Sequence, residues 1–152
     1  MSDKMRAALF NMLGDISDLN VMDAFAGSGG LGFEALSRGA NSVLALEIDK
    51  TAHHIISGNA KALGLAKQLK AVRVGIDSWS KNNPNELFDI ILADPPYDDL
   101  QLNTLQRLTN HLKPASLFIL SWPGHQKPPE FSGFKQMIER HYGDSQLVFY
   151  RN

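Results

Sequence analysis

The chain of 152 residues contains no cysteine. A disulfide framework, a thiolate nucleophile and a cysteine zinc site are thereby excluded. No charge sign dominates: 15 Lys and Arg stand against 16 Asp and Glu, a formal net charge of -1. The strongly basic surface of a self-sufficient nucleic-acid binder is therefore missing. No run approaches the roughly 18 apolar residues of a membrane span, and MSDKMRAALF at the start has no apolar core of signal-peptide length. A cytoplasmic chain without membrane attachment is expected. Repeats and low-complexity segments are also lacking. What is present is 43% hydrophobic residues, which suits a single domain over 1–152 with a core of ordinary size.

Short apolar runs alternate with helical patterns. Met5 to Leu13 reads as a helix, with Ser2 or Asp3 as its N-cap. LNVMDAF reads as a buried strand and GGLGFEALSRGA as a helix closed near Gly39. NSVLALEID, KAVRVGID and LFDIILAD read as further strands, with KTAHHIISGNAKALGL as the helix between the first two and only a connection before the third. LQLNTLQRLTNHL is an amphipathic helix ahead of Pro114, ASLFILSW a fifth strand, and FKQMIERHYGDSQLVFYR two strands joined at YGDS. WPGHQKPPEFSG between them is loop-like. The pattern predicts an open, mostly parallel α/β sheet, helices on both faces and a hairpin at one edge.

In such a sheet ligands bind beyond the carboxyl ends of the strands, so the loops after strands carry the chemistry. In DAFAGSGGLG, Asp23 closes the first strand, and Gly27, Gly29, Gly30 and Gly32 follow Phe25 and Ala26. Glycine permits positive φ and close approach by a ligand. In LEID, Glu47 lies 20 residues after Gly27, where an acid can accept both hydroxyls of a ribose. In ILADPPYDD, Pro95 and Pro96 end the strand because they lack the N–H a ladder needs, leaving Asp94 and Tyr97 displayed on a rigid loop.

Gly27 to Gly32, with Ser28 inside it, fits G-x-G-x-x-G, and with Glu47 it would pass as a dinucleotide-binding fingerprint. A nicotinamide reading, however, leaves Asp23 and the DPPY loop idle. An S-adenosyl-L-methionine reading employs all three loops, because an acid at the strand end suits a cationic amino-acid tail and a sulfonium better than a pyrophosphate.

The stretches SDKMRAALFNML, DAFAGSGGLGFEALSRGA, LEID, ADPPY and YGDSQLVFYR run over nearly the whole chain. In them it resembles the RsmD family, bacterial methyltransferases of a guanine N2 amino group in small-subunit (16S) ribosomal RNA. DPPY belongs more widely to enzymes that methylate exocyclic amino groups; the first and last stretches narrow the match. The resemblance implies a Rossmann-like class I methyltransferase fold, a mostly parallel seven-stranded sheet with an antiparallel last strand. It implies ribosomal RNA or the small subunit as partner and a monomer that needs no metal. By carry-over, Asp23, Gly27 and Gly29, with Phe25, Ala26 and Ser28 of the same loop, would hold the methionine moiety. Glu47 with Ile48 would hold the ribose, and Asp77 would reach the adenine. Asp94, Pro95, Pro96 and Tyr97 would form the catalytic loop. Asp94 and the Pro95 carbonyl would accept the two amino hydrogens, turning the nitrogen lone pair toward the methyl, while Tyr97 would stack on the base.

Plainer roles exist for each residue. Asp23 and Glu47 could cap helices, Asp94 to Tyr97 could be an ordinary turn, and Asp77 could be an N-cap. His53 and His54 are adjacent on a helix and cannot share a face, so they read as surface residues. His111, His125 and His141 have no ligand spacing, and Trp79 and Trp122 read as packing groups. Arg6 and Phe10 match the family's first helix. Relatives carry a basic extension and an Arg-Pro-Thr run before that helix; here only Met1 and Ser2 precede it, and Asp98 and Asp99 add negative charge after the catalytic loop. Weak RNA binding by the chain alone is expected. Three other functions stay open: methylation of DNA adenine or a protein glutamine, cofactor binding without transfer, and an NAD dehydrogenase.

Overall fold

In a computed structural model describing residues 1–152, the strands are β1 (Asn20–Asp23), β2 (Ser42–Leu46), β3 (Leu69–Val72), β4 (Phe88–Ala93), β5 (Leu112–Pro123), β6 (Lys135–Tyr142) and β7 (Ser145–Arg151). The helices are α1 (Asp3–Leu13), α2 (Gly30–Ser37), α3 (Lys50–Ala62), α4 (Ile76–Asn82) and α5 (Leu102–Leu108). All seven strands form one sheet in the order β3-β2-β1-β4-β5-β7-β6. β1 to β5 pair in parallel, and β7 enters antiparallel between β5 and β6. The order reverses beside β1, which opens a crevice at the carboxyl ends of β1, β2 and β4.

Alternation along the strands divides the core between the two faces. On one face Val21, Ile90, Leu92, Ile119, Leu147 and Phe149 pack under Met5, Leu9 and Phe10 of α1, Leu31 and Ala35 of α2, and Ile56 and Ala60 of α3. On the other, Met22, Ile91, Phe118, Leu120 and Val148 pack under Ile76 and Trp79 of α4 and Leu105 and Leu108 of α5. The helices thus cover both faces, as the sequence pattern implies. α1 starts where Ser2 Oγ accepts the Met5 amide at 3.1 Å. No helix is long and apolar enough to cross a membrane.

The segment before β4 corrects the sequence reading. β3 ends at Val72, and GIDSW does not extend the strand; Gly75 caps the N-terminus of α4, which fills the predicted connection. Trp79 and Trp122 are both buried, in keeping with packing roles. His111 is also buried, between the Glu86 carbonyl, 2.8 Å from Nδ1, and Ser80 Oγ, 2.7 Å from Nε2. With Nδ1–H donating to the carbonyl, Nε2 accepts the serine hydroxyl, so both ring nitrogens are satisfied inside the fold.

The proline-rich loop after β5 is pinned from the sheet. Gln146 Nε2 donates to the carbonyls of Pro123 and Gln126, Trp122 Nε1 to Lys127, and the Tyr150 hydroxyl to Pro129. The Pro123 carbonyl at the end of β5 and three loop carbonyls gain partners, and Phe131 closes over Phe118 and Tyr150 with ring centroids 5.3 and 5.0 Å away.

Candidate active site

The main cavity, about 760 Å³, opens at the carboxyl ends of β1, β2 and β4, within the range of small-molecule sites. Its floor is the loop after β1. Gly29 amide donates to the Ala26 carbonyl at 2.8 Å, closing a turn in which Gly27 has φ 55° and Gly29 φ 90°. A side chain is excluded at Gly29, where a Cβ would lie 2.8 Å from the Phe33 ring. Gly27 lines the cavity, and a Cβ there would meet nothing within 4 Å. Gly32 serves packing, since a Cβ there would come within 3.1 Å of Val43 and 3.3 Å of Leu69.

Glu47 joins this loop to the next. One carboxylate oxygen accepts the Gly27 amide at 2.8 Å and the other the Asp49 amide at 2.7 Å. Each oxygen keeps acceptor capacity, facing the cavity, for a ligand's hydroxyls. Beside it Ile48, 70% exposed, forms an apolar slot with Val74 and Ile76 of the segment after β3. Across the cavity stand Asp94 and Pro96.

Phe25, Ala26, Gly27 and Ser28 line the cavity with Glu47, Ile48, Asp94 and Pro96. Five residues singled out in the sequence do not line it. Gly29 shapes the turn from behind. Asp23 is fully buried, its side chain against Gly32 in the first turn of α2. Neither of its carboxylate oxygens has a hydrogen-bond partner. Burial pushes its carboxyl up to about 7; the charge of Asp94 and then that of Glu47 push the same way, and the Gly32 amide opposes them without reaching bonding geometry. Asp77 lies in the first turn of α4, not at a strand end, and faces α5: it accepts the Thr104 hydroxyl at 3.0 Å and pairs with Arg107 at 3.2 Å. Pro95 is buried, and no backbone N–H of the chain bonds its carbonyl. Tyr97 stands at the rim, its hydroxyl 2.6 Å from Ser121 Oγ.

Arg6 of α1, which the resemblance to the family's first helix singles out, lines the cavity and places its guanidinium over Gly30, Nη1 lying 3.1 Å from where a Cβ would be. Other lining residues carried little sequence signal. Val74, Gly75 and Ile76 contribute shape, and Gln101, held at φ 53°, lines the mouth with Asp99. The α-ammonium of Met1 donates to Asp94 Oδ2 at 3.1 Å.

The residues present fit a nucleoside with a cationic tail. Glu47 suits vicinal hydroxyls, the slot at Ile48 suits a flat ring, Gly27 leaves room for close approach, and the unpartnered buried carboxylate of Asp23 favours positive charge nearby. Sheet order and an antiparallel β7 define the class I methyltransferase fold. A family model described as "Conserved hypothetical protein 95" matches residues 1–151, and the chain belongs to that family, the RsmD family that its motifs resemble.

The ribosomal RNA small subunit methyltransferase D of Haemophilus influenzae is 36% identical over 121 residues, 76% of this chain and 63% of that protein. The chain spans about three fifths of the length of the curated relatives it matches. Among solved structures, a conserved hypothetical protein of Streptococcus pyogenes superposes with a TM-score of 0.86 at 28% identity, covering 97% of this chain and 94% of that one. The rRNA methyltransferase AviRa of Streptomyces viridochromogenes superposes at 0.72 over 99% of this chain and 85% of its own, with 13% identity, a likeness of fold alone.

Proposed function

We propose that this chain transfers a methyl group from S-adenosylmethionine to the exocyclic N2 amino group of a guanine in small-subunit ribosomal RNA, in the cytoplasm. The observation that carries this reading is the DPPY loop: Asp94 on the cavity wall, followed by a Pro95 carbonyl that no backbone amide uses. Two acceptors in sequence suit the two hydrogens of an amino group.

Bound S-adenosylmethionine supplies an electrophilic methyl on a sulfonium. Glu47 holds the ribose hydroxyls and Gly27 lets the amino-acid tail lie against the backbone. Ile48, Val74 and Ile76 enclose the adenine, so that the adenine contact falls to these apolar groups. Asp23 lies behind the wall without contacting the cofactor, and a cation in the cavity would favour its ionised form. Asp94 and the Pro95 carbonyl would accept hydrogen bonds from the amino group, opposing delocalisation of the nitrogen lone pair and orienting it for in-line displacement. As the N–C bond forms, the S–C bond would break with its electron pair left on sulfur as a neutral thioether, and the methylated nitrogen would shed one proton to Asp94 or solvent. The two prolines hold that carbonyl in place before substrate arrives, and Tyr97 stacks on the base, a contact worth about 1–3 kcal/mol.

The names of the relatives support ribosomal RNA of the small subunit as substrate, and the family match over 1–151 supports the same chemistry here. The test is transfer of labelled methyl to small ribosomal subunits. Transfer that is lost in Asp94→Ala, with cofactor binding retained, is expected. Label arriving only in DNA or protein, or cofactor binding with no acceptor among subunits and RNA, would replace this reading.

A further inference from the structure

Tyr97 is 38% exposed, yet its hydroxyl lies 2.6 Å from Oγ of Ser121, which is 1% exposed in β5. The ladder pairs Ala93 with Leu120, so Ser121 continues the register at the height of Asp94. On its other side Ser121 pairs with Leu147 of β7, which is fully buried. The anchor is thus a fixed point of the sheet, level with the proposed amino-group acceptor. The backbone beneath the ring is fixed as well, because the Asp99 amide donates to the Pro96 carbonyl at 3.0 Å and closes a turn around Tyr97 and Asp98. A stacking ring on a surface loop would otherwise sample several rotamers, and each base that docks would meet the cost of ordering it.

We propose that Ser121 is a positioning residue: it locks the Tyr97 ring, through the phenol hydroxyl, as a preformed platform for a planar nucleobase. The hydroxyl is occupied by the sheet, and the face of the ring, not its polar end, meets the substrate. This rests on the reading of the site under Proposed function.

Its test joins two measurements on the full chain. In hydrogen exchange without substrate, Ser121→Ala and Tyr97→Phe are both expected to speed exchange of the Asp99 amide about fivefold, as loss of one hydrogen bond implies. In methyl transfer to small ribosomal subunits, each is expected to lower kcat/KM for the subunits about five- to tenfold, with the KM for S-adenosylmethionine unchanged. The double variant should be no worse than either single one, since both remove the same bond. Ser121→Thr, which keeps the hydroxyl, should restore both readouts. Additive losses, or wild-type exchange and transfer in Tyr97→Phe, would overturn the proposal. If the wild-type chain transfers no methyl, the reading of the site fails, and exchange at Asp99 alone decides whether the anchor exists.

Discussion

Glu47 accepts the Gly27 amide at 2.8 Å, bonding the loop after β1 to the loop after β2. The same carboxylate also takes the Asp49 amide, so it orders its own loop while holding the other. Glu47→Gln puts an amide N–H₂ against one of two backbone donors. Hydrogen bonds to a charged group are worth about 1.5–3 kcal/mol, so cofactor affinity is expected to fall about 10- to 100-fold in calorimetry. An unchanged Kd would mean that Glu47 serves only the loops.

Asp23 gives stability a pH dependence of a definite sign. Its carboxyl keeps a proton in the folded chain up to about pH 7, against an ordinary value of 3.8. Between these values the native state binds the extra proton, so this contribution declines as pH rises through the window. Asp23→Asn mimics the protonated form. Its stability advantage over wild type in urea unfolding is expected to grow from under about 1 kcal/mol at pH 4 to on the order of 4 kcal/mol at pH 8. Parallel curves for the two proteins would show that folding does not shift the Asp23 carboxyl.

Two glycines of one loop should respond differently to alanine. Gly29→Ala combines φ 90° with a Cβ 2.8 Å from Phe33, and a loss of about 2–4 kcal/mol in stability is expected. Gly27→Ala has open space and only the left-handed backbone to bear, about 1 kcal/mol, but it adds a methyl at a residue that lines the cavity. Gly27→Ala should fold and bind cofactor at least about tenfold more weakly; thermal melts and calorimetry on the two variants separate the effects.

Asp77 holds α4 to α5 through Thr104 and Arg107. The ion pair is half exposed and contributes little, whereas Thr104 is buried, so Asp77→Ala is expected to cost about 1 kcal/mol of stability. Its cofactor Kd should stay within about twofold of wild type. A tenfold loss of affinity at undiminished stability would return Asp77 to the adenine.

Legibility in the sequence followed backbone chemistry. Pro95 and Pro96 stop β4 at Ala93; apolar runs mark β1, β2, β4, β5 and β7, and the mostly polar β6 is marked by the turn at Gly143 that joins it to β7. α4 was not legible because Val72, Val74 and Ile76 alternate like a continuing strand into its first turn, and Gly75 at its N-cap offers no polar side chain to mark a helix start. Asp77 therefore looked like the end of a strand. The slot residues Val74 and Ile76 carry no polar chemistry to draw attention, and Asp23, legible as an acid after a strand, shows its burial only once α2 is folded over it. The Tyr97 to Ser121 bond joins residues 24 apart that only the β4–β5 ladder brings level.

Asp94 and its loop are proposed to hold a guanine amino group for methylation. The most direct measurement is mass analysis of nucleosides from small-subunit ribosomal RNA after incubation with the protein and S-adenosylmethionine. The expected result is N2-methylguanosine at one site, absent with Asp94→Ala although that variant still binds cofactor. Methyl on another base or another atom, or N2-methylguanosine made equally well by Asp94→Ala, would contradict it.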